Sequence, residues 1–162
     1  MTRYADGTAV HNSKSRYEIE QMLREHGAEN YAYMVGPTHA AIAFKLEGRF
    51  YRIQIPIPSA EEFTRTPERG LVRTKSQAKA AYESEVNRRW RSLAAVIKFK
   101  FVAIDDGITS VEDEFLAATV TPDNRTVGEY MRPHLEAAYS GGRQLPAMPW
   151  NCLPAPKSEA AP

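Results

Sequence analysis

The chain has 162 residues, 43% of them apolar, 10% aromatic and 25% charged, with a formal net charge of +1. That length and composition suit one globular domain and exclude a fibrous repeat or a disordered body. A single cysteine excludes an internal disulfide and a multi-cysteine metal site. With no apolar run near the ~18 residues of a membrane span, and no apolar core in residues 1–14 to make a signal peptide, a cytoplasmic protein without a membrane partner is expected.

Residues 1–14 read as a flexible leader. Ser15 and Glu18 have the spacing of a capping box, in which each side chain satisfies a free amide of the other. Ile19, Met22, Leu23 and His26 follow on one helical face, and Gly27 stands where a left-handed C-cap is wanted. From Tyr31 the period changes to two. Strands are predicted over 31–35, 39–46 and 49–55, with Glu47-Gly48 as a two-residue hairpin turn and Pro56 and Pro58 ending the third strand. Residues 59–74 read as a long loop holding a single turn at 59–63, long enough to be a contact element.

The clearest element is a long helix. Tyr82, Val86, Trp90, Leu93, Ile97, Phe101 and Ile104 recur every three or four residues, the stripe that a helix lays across a sheet. One segment conflicts with it: residues 96–102, Val-Ile-Lys-Phe-Lys-Phe-Val, alternate like a strand. The unbroken stripe favours the helix, and a switch near Ala95 is the competing reading. Asp105-Asp106-Gly107 ends the element, and Ser110 opens a short helix through Phe115 and Leu116. Thr121-Pro122-Asp123-Asn124 is turn chemistry between two brief β-prone segments. A last helix over 127–139, kinked or restarted at Pro133, ends at Gly141-Gly142. Residues 144–162 hold five prolines and read as a disordered tail. The expected fold is a single α+β domain over 15–143, a three-stranded antiparallel sheet packed by one long helix with smaller N- and C-terminal helices.

Charge is unevenly spread. Between Arg49 and Lys100 lie twelve Lys/Arg and five acids, a net +7, while the remainder carries nine bases and fifteen acids, a net −6. A basic surface attracts polyanions, and the opposing reading folds the acids back against the bases. The Arg88-Arg89-Trp90-Arg91 cluster leads, since arginine forks onto phosphate oxygens. Arg52, Arg88, Arg89, Arg91, Lys98 and Lys100 are the expected phosphate contacts. Phe44, Phe50 and Tyr51 offer faces on which unpaired bases stack, with Tyr51 the residue assigned there. The competing reading puts the rings in the core.

No catalytic or metal-binding motif stands out, and no cofactor is expected. His11, His26, His39 and His134 lack a second ligand at short spacing, and His26 on an apolar face suits packing or capping. Cys152 lies in the Pro-rich tail, away from any organised base. Asp105, Asp106, Glu112, Asp113 and Glu114 have the chemistry to hold Mg²⁺, but acids at a turn and a helix N-terminus already have a structural role. Pro122-Asp123 lacks the Glu/Asp-x-Lys triplet that would complete a nuclease pattern.

Arg88-Arg89-Trp90-Arg91-Ser92-Leu93, Ile97-Lys98 with Lys100, Gly107-Ile108, Glu112-Asp113-Glu114-Phe115-Leu116-Ala117 and Pro122-Asp123-Asn124-Arg125-Thr126-Val127-Gly128-Glu129 together resemble a family of small bacteriophage and prophage proteins. The resemblance spans residues 15–149 and implies a phage-related cytoplasmic setting without supplying catalytic residues. The helix, meander and long-helix order is also similar, at a coarse level, to the core of single-strand annealing proteins. Together these point to a non-enzymatic accessory protein that binds single-stranded nucleic acid in replication or recombination. The alternative is a protein-interaction module, such as an inhibitor of a host enzyme, docking a host or phage protein through the acidic 105–114 segment or the tail. A metal-dependent hydrolase using the acidic group is a third.

Overall fold

A computed structural model describes residues 4–5, 11–67 and 69–141. The expected tail, with Cys152, and most of the expected leader lie outside these residues.

The first helix, α1, is Asn12–Glu25, four residues longer at its start than the Ser15 capping box predicts. The N-cap is His11, whose ring accepts from the Ser13 amide, and the Asn12 amide donates 2.9 Å to Asn87 Oδ1 of the long helix. A tertiary partner for a free first-turn amide lets the helix start early, and Ser15 becomes a fully buried residue within it. Ile19 and Leu23 point into the core as expected.

Strands β1 (Asn30–Val35), β2 (His39–Leu46) and β3 (Arg49–Pro56) form an antiparallel meander in the order β1-β2-β3. Glu47 and Gly48 both have positive φ, +50° and +76°, as a two-residue turn between twisted strands requires. The register pairs Phe44 with Tyr51 and Ala43 with Arg52. Side chains alternate, so Phe44 and Tyr51 share one face and Arg52 lies on the other.

The long helix, α2, runs without a break through Lys75–Asp105, 31 residues. Thr74 and Gln77 close a reciprocal capping box at its start. No strand begins near Ala95. Its stripe of Trp90, Leu93, Ala94, Ile97 and Phe101 meets Ile19 and Leu23 of α1 and Ala40, Ile42, Phe44 and Leu46 of β2 in one buried cluster.

The short helix α3 (Val111–Phe115), capped by Ser110 as predicted, drives Phe115 into that cluster. Its ring centroid lies 5.5 Å from Phe44, 5.6 Å from Tyr51 and 5.6 Å from Phe101, joining sheet and helix. A 3₁₀ turn at Leu116–Ala118 leads to the edge of β3, where Thr119 bridges Tyr51 and the Val120 amide donates to Phe50 O at 2.7 Å.

The last helix, α4, is Val127–Ser140, with a Thr126/Glu129 capping box. It passes through Pro133 instead of restarting there. Proline has no N–H to give the Glu129 carbonyl one turn back, and the Arg125 guanidinium donates to that carbonyl instead, at 3.2 Å. No helix among the described residues is long and apolar enough to cross a membrane.

Candidate functional site

The sequence-predicted binding residues are divided between two faces. Arg52 lies on the sheet face away from α2, where it donates to Glu129 Oε2 at 3.1 Å and to the Asn124 carbonyl at 3.0 Å. Arg88, Arg89, Arg91, Lys98 and Lys100 lie on α2. At about 100° per residue they spread around the helix instead of clustering.

Most of these cations already hold a carboxylate. Arg88 and Arg89 both donate to Glu85, at 2.6–2.9 Å, and the shared carboxylate has its pKa driven down to about 2, mainly by the Arg88 hydrogen bonds. Arg89 also donates to the Pro56 carbonyl. Arg91 pairs with Glu18 of α1. Lys100 donates to Glu114 Oε2 at 2.8 Å and to the Glu114 carbonyl at 2.6 Å. Of the six, Lys98 alone has no ion-pair partner among the described residues.

Glu18, Glu114 and Glu129, together with Glu112 beside Arg49, come from outside the basic stretch. Four acids of the −6 remainder thus fold back onto the +7 segment, while Arg65, Arg69, Arg73, Lys75 and Lys98 hold no carboxylate among the described residues.

Tyr51 cannot stack on a base. Its ring is 1% exposed, packed between Phe44 at 5.3 Å and Phe115, and burial pushes its hydroxyl pKa up. Period-two alternation puts it on the core side of β3, and the same parity buries Phe44. Phe50, on the opposite parity, is the exposed ring of the three.

The other expectations fall out as follows. His26 stacks on Phe101 at 3.8 Å, donates from Nδ1 to the Met22 carbonyl at 2.6 Å and faces Asp105 at 3.2 Å, so it packs and caps. Among the described residues no three His, Cys, Asp or Glu side chains converge as a metal site would need. The 59–74 loop and α2 border a polar cleft of about 580 Å³ holding Arg73, Arg88 and Arg89 with Glu62 and Glu85. There Arg73 is occupied with the carbonyls of Phe63 and Arg65, at 3.2 and 2.9 Å.

What remains open is the outer face of α2. Val96, Phe99 and Val102 are 49%, 66% and 42% exposed, and Ser92, Ala95 and Ala103 lie beside them. These six fall within an arc of roughly 120°, opposite the buried stripe. Two shallow clefts of about 370 and 510 Å³ flank Phe99, and Tyr4 lines both. Lys98 and Arg91 border the stripe on one side, Lys100 and Arg89 on the other.

Sequence reasoning did not assign these outer residues, though their signal was present. On a helix, residues two apart point nearly opposite ways. A strand-like run such as 96–102, once helical, therefore makes the helix apolar on two faces. Ile97 and Phe101 take the core, and Phe99 is left outside.

No protein-family model, curated protein or solved structure matches this chain. These comparisons bear on neither resemblance, so a functional reading rests on the chemistry of the surfaces.

Proposed function

We propose that the protein is an interaction module that docks a host or phage protein on the outer face of α2. The observation that carries this reading is Phe99, a large ring two-thirds exposed on a helix whose opposite face is the core. A helix apolar all round is ordinarily covered on both sides. Covering the exposed two-thirds of Phe99 would contribute about 1–2 kcal/mol, a useful share of an interface anchor.

Charge specifies the partner's chemistry. The stripe is bordered by cations, and Lys98 has no carboxylate of its own among the described residues. A segment presenting apolar or aromatic side chains with acids at its margin satisfies both features. Nucleic acid is the less suited occupant, because Arg88, Arg89, Arg91 and Lys100 would have to give up carboxylates already in place, and an apolar stripe offers nothing to phosphate.

Affinity capture from nuclease-treated extract of cells expressing the tagged chain tests this reading. A protein retained by the wild type should be reduced at least tenfold by Phe99→Asp, and also weakened by Lys98→Glu. A partner held equally by Phe99→Asp, or one released by the nuclease, counts against it.

A further inference from the structure

We infer that α4 pairs with α4 of a second copy of this chain, antiparallel. This inference is independent of the α2 surface. Every residue from Tyr130 to Ser140 is exposed, and no residue of the 14-residue helix is buried. An isolated helix of that length is marginal in water, and its stability ordinarily comes from packing an amphipathic face. The Thr126/Glu129 box and the Arg125 cap secure its first turns only.

The face to be packed is well defined. At about 100° per residue, Val127, Met131, Leu135, Ala138 and Tyr139 fall within an arc of roughly 120°. Met131, Leu135 and Tyr139 are 41%, 52% and 64% exposed. Within α4, Gly128 stands against the Ala117 carbonyl, so the start of the helix is anchored while the rest projects.

Charge selects the occupant and its direction. Arg132 and Glu136 lie on the same flank of the stripe, and neither has an ionic partner among the described residues. The other flank carries Tyr130 and His134, whose rings face each other at 5.4 Å. When a helix pairs with its own copy antiparallel about a twofold axis, each flank meets itself. A pair centred near His134 then sets Arg132 opposite Glu136 of the second copy, and Glu136 opposite Arg132, so both charges are satisfied twice. A parallel pair would put this flank against the uncharged one. The outer stripe of α2 does not suit self-pairing in the same way, since antiparallel pairing about Phe99 brings Lys98 towards Lys98.

One helix from each copy covers less than the roughly 1,200 Å² of a standard stable interface, so a dimer of micromolar affinity is expected. Sedimentation equilibrium on the full chain, from about 5 to 200 µM, should show the mass rising from 18.2 kDa towards twice that value. Leu135→Asp, at an exposed position that leaves the core untouched, should hold it at the monomer mass. Glu136→Arg should weaken the dimer at least tenfold, and Arg132→Glu with Glu136→Arg together should restore it. A chain that stays monomeric throughout overturns the pairing. Equal dissociation by Phe99→Asp points to α4 on α2 and also overturns it. A double swap that fails to restore association rejects the antiparallel register.

Discussion

Glu85 holds two guanidinium groups on one carboxylate, and this residue shows best why the arginine cluster does not behave as its sequence suggests. The Arg88 and Arg89 hydrogen bonds lower its pKa from 4.5 to about 2 against the opposing effect of burial. With the folded pKa below the unfolded one, the unfolded chain binds more protons between those values. The stabilisation is therefore full above about pH 4.5 and is lost as pH falls towards about 2. Glu85→Gln should destabilise the protein near neutral pH, and the gap from wild type should close as the pH drops through that window. Urea unfolding at several pH values measures this, and a gap that stays constant with pH would contradict it. Tyr51 teaches a related lesson. Its alternation with Ile53 and Ile55 was legible, but parity alone does not say which face is the core, and so a stacking platform and a packed ring read alike.

At the scale of elements, periodicity served well where one face was apolar. The meander, the Glu47-Gly48 turn and the α2 stripe all follow from period two or period 3.6 in the residues themselves. It served less well where tertiary contacts decide. The start of α1 depends on Asn87, 75 positions away, and the continuity of α4 depends on an arginine relieving the carbonyl that Pro133 leaves open. The 96–102 alternation was the informative case, for it marked a helix with two apolar faces and thereby the proposed docking surface. The anchoring of α4 can be tested at Gly128, where a Cβ would lie 2.9 Å from the Ala117 carbonyl. Alanine gains about 1 kcal/mol of helix propensity over glycine, but overpacking costs about 1–3 kcal/mol. Gly128→Ala should thus be neutral to destabilising in chemical denaturation. A gain of about 1 kcal/mol would show that the contact gives way freely.

For the whole molecule, folding offsets part of the charge separation along the chain. The basic segment forms β3, the loop and α2, and acids from α1, α3 and α4 close onto it. Among the described residues, the outside of α2 and the length of α4 then remain as exposed apolar surfaces. Such surfaces on a small protein mark places where another molecule sits. On this account α4 serves self-association and α2 serves a partner whose acids meet Lys98. A photo-reactive benzophenone side chain placed at position 99, activated in intact cells expressing the chain, examines the second assignment most directly. The account predicts a discrete protein adduct from position 99, resistant to nuclease, and none from position 32, exposed on the sheet face away from α2. An adduct to nucleic acid, or protein adducts of equal yield from both positions, would contradict it.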